Sequence, residues 1–490
     1  MAGSLHIVGT GFKVASQITP EALACFRQAD RVFAAPGDPA TRLYLKKLRP
    51  DVVSLEDFYG EGKRRDLTYG EMAETLLEEV RAGHSVCAAF YGHPGVFVNP
   101  SHTAIKQARS EGFEARMYPG ISAESCLFAD LTVDPADRGC HSLEATDFLT
   151  RRESVDPSTA LILWQIGAVG VAEYYKAAMW SQSGLEQLTS RLLDFYPPEH
   201  TVYVYEASPL PICAPRIEPV ALTDLPGARV SIISTLFVPP STVAAFDEDM
   251  FMRARSVLGS RCCKKAPGDS PYRPLPAAAA QTSPGSLTLV GLGYRLAGQV
   301  TPEVHHRLVN ADKLLYLVTD PLMSAWLQGL NSTSESLHPL YSEGSGGDEA
   351  AAAIAARILA AVESGENVCA AFTGHPSVLL PPALDALRMV TEAGFAATVL
   401  PGLSVDDCLV ADLGFDPGVQ GRQIFDATDF LLRPRVPDTR SHLVILQAGV
   451  VAELVYRTEQ SANPEMLQLL LERLLENYPG THDVFIYEQS

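Results

Sequence analysis

Two side chains near the start of one helical segment are placed to move a proton. Arg65 and Tyr69 are four residues apart, so one helix face presents both. A guanidinium beside a phenol favours the phenolate by simple attraction. The same cation can hold negative charge that develops on a nearby oxygen. An exposed helix pair with no chemistry is the plain alternative. Tyr59 precedes them in Phe58-Tyr-Gly-Glu-Gly-Lys63, and Tyr91 opens Tyr91-Gly-His-Pro-Gly95 directly after the apolar run Val86–Phe90. His93 therefore stands beyond the carboxyl end of an expected buried strand, where parallel sheets bind ligands. A structural histidine would fit the same place. Gly9-Thr-Gly11 lacks the third glycine of the dinucleotide fingerprint and reads as a tight turn. In Pro119-Gly-Ile-Ser-Ala123, Ser122 is set to cap a helix.

These residues need a frame that alternates strands and helices. Leu5–Val8, Arg31–Ala34, Asp51–Ser54, Ser85–Phe90 and Glu114–Tyr118 read as strands. Thr19 caps one helix ahead of Pro20 and Glu21, and Thr41–Leu48, Tyr69–Ala82, Pro100–Ser110 and Ser122–Leu131 read as further helices. The alternation predicts an α/β fold with a parallel sheet. A second lobe follows, with strands expected at Ala160–Gln165, Thr201–Glu206 and Arg229–Phe237 and a helix around Glu186–Phe195.

The chain then repeats. Val86-Cys-Ala-Ala-Phe-Tyr-Gly-His-Pro-Gly-Val-Phe97 returns as Val368-Cys-Ala-Ala-Phe-Thr-Gly-His-Pro-Ser-Val-Leu379, an offset of 282 with nine of twelve residues identical. Gly9 and Gly291, Asp130 and Asp412, Gln165 and Gln447, and Tyr205 and Tyr487 keep the same offset. A period this long means duplicated domains. The reading is a first unit at 1–240, a linker at 241–284 and a second unit at 285–490. In the linker Val243–Leu258 is a candidate helix, and the Pro-rich remainder is expected to be flexible. The second unit has no counterpart of Pro209–Pro240.

Length predicts two to four domains. The net charge of −20 disfavours nucleic acid and anionic lipid as partners, since both need a basic surface. Nine cysteines, mostly inside apolar runs, read as reduced core thiols of a cytoplasmic protein, and Cys262-Cys263 as an exposed pair without zinc-site spacing. No metal site is expected. No window approaches the ~18 apolar residues of a membrane helix, and the N-terminus has no signal-peptide pattern.

The order of motifs resembles the S-adenosylmethionine-dependent tetrapyrrole methylase fold. Within it the first unit is similar to the borosin, or omphalotin-type, peptide-backbone N-methyltransferases. The resemblance is carried by Phe58–Tyr69, by Phe90-Tyr-Gly-His-Pro-Gly-Val-Phe-Val-Asn-Pro-Ser101, by Pro119-Gly-Ile-Ser-Ala-Glu-Ser-Cys-Leu-Phe-Ala-Asp130, by Glu144–Leu149 and by Ser234–Pro240. It implies two tandem units, each of two α/β lobes with a cofactor cleft between them, and S-adenosyl-L-methionine as cofactor. It assigns Arg65, Tyr69 and Tyr91 as the catalytic set with Tyr59 in support. It assigns Tyr91, His93, Val96, Ala123, Gln165, Ala207, Ser234 and Thr235 to the cofactor pocket. The implied reaction is alpha-N-methylation of a ribosomally made peptide. A backbone amide is a poor nucleophile because its lone pair is delocalised, so it needs a base and a positive group near its oxygen. A peptide would be the partner, in trans or on a tail beyond Ser490. The assembly would be a homodimer or an intrachain pseudo-dimer. A tetrapyrrole C-methyltransferase of precorrin type and a non-catalytic scaffold are the alternatives.

The second unit has lost the same letters that the resemblance singles out. Gly347 stands opposite Arg65, Ala351 opposite Tyr69 and Thr373 opposite Tyr91. Ser345 and Gly346 replace Lys63 and Arg64, Val405 replaces Ala123, and only Tyr341 survives opposite Tyr59. The second unit is therefore expected to be a pseudo-enzyme serving as partner to the first.

Overall fold

A computed structural model describes residues 3–151, 154–175, 182–263, 284–341, 347–453 and 462–489. In the first copy, strands β1 (Ser4–Gly9), β2 (Arg31–Ala35), β3 (Val53–Ser54), β4 (Ser85–Phe90) and β5 (Glu114–Tyr118) form a parallel sheet in the order β3-β2-β4-β1-β5. β4 reads Ser-Val-Cys-Ala-Ala-Phe because helices cover both of its faces. Its second lobe holds β6 (Cys140–Glu144), β7 (Ala160–Trp164), β8 (Thr201–Glu206), β9 (Arg216–Ala221) and β10 (Thr235–Val238). The second copy repeats the first sheet with β11 (Ser286–Gly291), β12 (Lys313–Leu317), β13 (Glu335–Ser336), β14 (Asn367–Phe372) and β15 (Ala396–Leu400), and adds β16 (Arg422–Asp426) and β17 (His442–Leu446).

The second lobes do not form separate sheets. They join into one seven-stranded sheet, β17-β16-β6-β7-β10-β8-β9. β6 and β16 pair antiparallel, and His141 faces Gln423, its own counterpart at the offset of 282. A pseudo-twofold axis therefore passes between these strands. Each would otherwise be an open edge with unpaired backbone groups, and the mirror strand satisfies them. Only the first copy's side carries counterparts of β10, β8 and β9 among the described residues.

Reciprocal contacts repeat across this axis. Lys13 meets Glu303 at 3.5 Å, and Arg295 meets Glu21 at 3.2 Å. The Phe97 N–H donates to Asp416 at 3.0 Å, and the Leu379 N–H donates to Asp134 at 2.9 Å. Such pairs can form only if the two copies interlock.

Several sequence expectations need correction. The helix expected from Tyr69 begins at Arg65 and runs to Arg81. The strand expected over Arg229–Phe237 shortens to β10, and the helix near Glu186–Phe195 spans Gln182–Leu192. The linker helix is Glu248–Leu258, capped by Asp247, and it packs on the second copy through Met250, Phe251, Ala254 and Leu258. Cys263, expected to be exposed, is buried there, and its N–H donates to Ala452 at 2.9 Å. All nine cysteines are free thiols. The Pro-rich remainder of the linker, 264–283, lies outside the described residues. Among the described residues no helix is long and apolar enough to cross a membrane.

Candidate active site

Tyr59, Tyr69 and Tyr91 arrive from a loop, a helix and a strand end, and all three pack half-buried against one core cluster of the first lobe. Arg65 opens the helix that carries Tyr69. The Tyr59 and Tyr69 rings meet edge-on at 6.4 Å. Tyr174, which the sequence reading missed, lies 4.7 Å from Tyr59. A short backbone ladder brings it there. The Gly62 N–H donates to Tyr174 at 2.8 Å, the Tyr174 N–H to Lys63 at 2.9 Å and the Arg65 N–H to Ala172 at 3.2 Å. The last bond satisfies an N–H left free at the helix start. It also ties a second-lobe segment to the residue that begins the helix carrying Tyr69, so the two lobes are latched beside the tyrosine cluster.

Burial sets the electrostatics of two of the phenols. Burial raises the Tyr91 phenol above its usual range, with Tyr69 and then Asp416 adding to the shift and Arg65 opposing it. Burial likewise raises Tyr59, with Tyr69 and Tyr91 next and Arg65 again opposing. Simple attraction by Arg65 does not win at these two phenols, because loss of water costs the anion more. Tyr59 and Tyr91 are hydrogen-bond donors at neutral pH, not bases. For the methyl transfer that the family resemblance implies, Tyr91→Phe is accordingly expected to lower the rate by about tenfold while leaving the shape of its pH profile between pH 6 and 9 unchanged. An inflection in that range that disappears with Tyr91→Phe would contradict this assignment.

Asp416 belongs to the second copy, and no sequence signal placed it here. It caps the segment Pro417–Gln420 and accepts from the Phe97 N–H, so it holds the turn that follows Tyr91. Phe97 keeps a left-handed φ of 57°, and its ring lies 5.6 Å from Trp164 at the end of β7. Strand ends of the two lobes are thus brought together, with a second-copy carboxylate behind the turn.

The residues expected to hold a cofactor gather at these same ends. Tyr91, Val96, Ala123, Gln165 and Ala207 are half-buried beside fully buried neighbours, as the lining of a cleft would be. Gln165 takes a left-handed φ of 57° where β7 ends. Ser234 and Thr235 are buried, and the Ser234 hydroxyl donates to Glu206. His93 differs from a ligand-facing side chain. Its ring is 1% exposed, Nε2–H donates to the Asp407 carbonyl of the second copy at 2.9 Å, and Nδ1 accepts the Gly95 N–H at 2.9 Å. Both nitrogens are used, so His93 serves the turn rather than presenting its ring to a ligand. Burial lowers its pKa to about 3, which keeps the ring neutral. A cavity of about 630 Å³ lies elsewhere, between Lys13–Ser16 and Glu303, His306 and Arg307, and none of Arg65, Tyr69 and Tyr91 lines it.

The second copy keeps the frame and not the reacting groups. Gly347 begins its equivalent helix and Ala351 is buried in it. His375 mirrors His93, its Nε2–H donating to the Ser125 carbonyl at 2.9 Å. Ser345 and Gly346 lie outside the described residues.

The profile of the Tetrapyrrole (Corrin/Porphyrin) Methylases matches residues 4–209 and 286–489. The chain is 40% identical over 339 residues to a methyltransferase/ribosomally synthesized cyclic peptide gymnopeptides precursor of Gymnopus fusipes, covering 66% of this chain and 78% of that one. It is 41% identical over 256 residues to the corresponding omphalotin A precursor of Omphalotus olearius, covering 51% of this chain and 61% of the relative. The chain thus spans less than two thirds of the second relative's length. Among solved structures, uroporphyrin-III-C-methyltransferase from Thermus thermophilus aligns with a TM-score of 0.36 and 19% identity, covering 49% of this chain and 93% of that one.

Proposed function

Because the chain belongs to the tetrapyrrole (corrin/porphyrin) methylase family, and within it to the borosin-type methyltransferases, we propose that its first copy methylates backbone amide nitrogens of a ribosomally made peptide. The observation that carries this reading is the grouping of Tyr59, Tyr69 and Tyr91 on one core cluster with Arg65 acting on Tyr59 and Tyr91, and no equivalent of Arg65, Tyr69 or Tyr91 in the second copy. The units are 1–240 as the working methyltransferase, 241–284 as linker and 285–490 as a degenerate partner.

Tyr91, the His93 turn, Val96, Ala123, Gln165, Ala207, Ser234 and Thr235 would hold S-adenosyl-L-methionine. The fit rests on the small apolar half-buried wall of Val96, Ala123 and Ala207 next to strand-end backbone and the Gln165 amide. When bound, that cofactor supplies an electrophilic methyl group on a positively charged sulfur. Tyr91 and Tyr59, kept protonated by burial, donate toward the carbonyl oxygen of the substrate amide. Arg65 places positive charge beside the same oxygen as electron density moves onto it. Tyr69, after giving up its own proton to solvent, would take the amide proton as a phenolate, and the nitrogen pair so freed would form the new bond to the methyl carbon as the carbon–sulfur bond breaks and its pair leaves on sulfur. Tyr174 and the 172–174 strap keep water from the tyrosine cluster.

Calorimetric titration of the full chain with S-adenosyl-L-methionine, followed by incubation with Val/Ile-rich peptides, tests the reading. Saturable binding and stepwise gain of methyl masses by the peptide are expected. No heat of binding, or binding without any methylated peptide across a peptide panel, would overturn it.

A further inference from the structure

Copy-to-copy contacts at the pseudo-twofold axis are not symmetric in charge. Glu124 and Asp406 occupy equivalent positions at the offset of 282, and both side chains are acidic. Between them lies one guanidinium, Arg422, which is 1% exposed and pairs with both carboxylates. The position equivalent to Arg422 is Cys140, which is buried close to Asp406. One step along the same helices, Ser125 and Asp407 are also equivalent, and they touch each other directly. The Ser125 hydroxyl donates to Asp407 at 2.8 Å, and both residues are buried.

We propose that these four asymmetric positions specify pairing of unlike copies, so that the first copy accepts only a second copy as its partner. Two first copies joined through this surface would bury two Glu124 carboxylates with Cys140 at both guanidinium positions. Two second copies would set Asp407 against Asp407 in a buried contact. A pair of first copies leaves both Glu124 carboxylates without a cation, and a pair of second copies, although each Asp406 keeps an Arg422, forces two buried Asp407 carboxylates together with no hydroxyl between them. The unlike pairing alone supplies one cation to two acids and one hydroxyl to one acid. Burial explains why the arrangement is so sensitive. It lowers the Arg422 pKa to about 9, and it raises the Asp406 carboxyl, with Asp407 adding to the shift. Specificity here comes from penalising the wrong partner. The inference rests on packing rather than on methyl transfer, so its failure would leave the proposed reaction untouched.

Single substitutions in the full-length chain reproduce each rejected pairing. Arg422→Cys leaves Glu124 and Asp406 without a cation, as the two Glu124 side chains of paired first copies would be, and Ser125→Asp creates the acid-on-acid contact of a pair of second copies. Each is expected to lower the thermal midpoint by about 10 °C. The exchange variants Cys140→Arg/Arg422→Cys and Ser125→Asp/Asp407→Ser move the same groups across the axis. The second places the acid near Ser122, the counterpart of the Ser404 that caps against Asp407 in the native chain. Each exchange is expected to recover at least half of the lost midpoint, which a merely local defect would not do. If a single variant fails to fold, a folded exchange variant still supports the pairing rule. Singles within about 2 °C of the native protein, or exchanges no more stable than the singles, would overturn it.

Discussion

Arg65→Ala is expected to slow methyl transfer by about 10³-fold with little change in stability. The side chain is half-buried, and the fold uses its backbone, which donates to Ala172. Truncation therefore removes a cation without opening the core. What it takes away is a guanidinium that acts on both buried phenols, Tyr59 and Tyr91, and that the proposed reaction sets beside the oxygen where charge would develop. Because that charge exists mainly in the transition state, the loss should fall on the rate and not on cofactor affinity. Single-turnover rates with saturating S-adenosyl-L-methionine measure it. Thr373→Val, at the position equivalent to Tyr91, is expected to leave the rate unchanged. A rate for Arg65→Ala within threefold of the native protein would remove the guanidinium from the mechanism.

His93→Leu should produce a loss of a different kind. The substitution strands the Gly95 N–H and the Asp407 carbonyl in a buried interface, at a cost of about 2–5 kcal/mol. The turn at His93, which the proposed function sets against the cofactor, loses its anchor to the second copy, so affinity for S-adenosyl-L-methionine should fall by about tenfold or more. His375→Leu breaks the mirror bond and should lower the thermal midpoint comparably, with a smaller effect on the cofactor. The pH dependence gives a further check. In the folded chain His93 titrates at about 3, below its ordinary 6.5. The unfolded chain therefore takes up this proton as pH falls through 6.5 while the folded chain does not. The stability contributed by neutral His93 is full above that range and drains as pH approaches 3. The stability gap between native protein and His93→Leu should narrow from pH 7 to pH 4. A constant gap, or unchanged cofactor affinity, would mean the turn holds without the second copy.

Much of this arrangement was legible in the sequence because it is local or repeated. The offset of 282 exposed the duplication, and the apolar run of β4 located the strand end where Tyr91 stands. Thr19 and Ser122 cap their helices as expected, and the linker helix forms within the expected segment but starts five residues later, at Glu248. β6 escaped notice because Cys-His-Ser-Leu-Glu alternates polar residues that a surface strand would expose. Here β16 buries them instead. β9 was missed because Pro219 interrupts it, which an edge strand tolerates. Asp416, Tyr174 and the Asp407 carbonyl could not have been found, because they reach the site only when distant segments fold together. The raised pKa values of Tyr59 and Tyr91 were not legible for the same reason, since burial is a property of the fold and not of the neighbouring letters.

The most direct measurement follows an isotopically labelled methyl group from S-adenosyl-L-methionine into a peptide incubated with the full chain, locating the label by fragment-ion mass spectrometry. Label on backbone nitrogens, abolished by Arg65→Ala and by Tyr69→Phe, is the predicted result. Label on carbon or on side-chain atoms, or backbone label that survives both substitutions, would contradict the account.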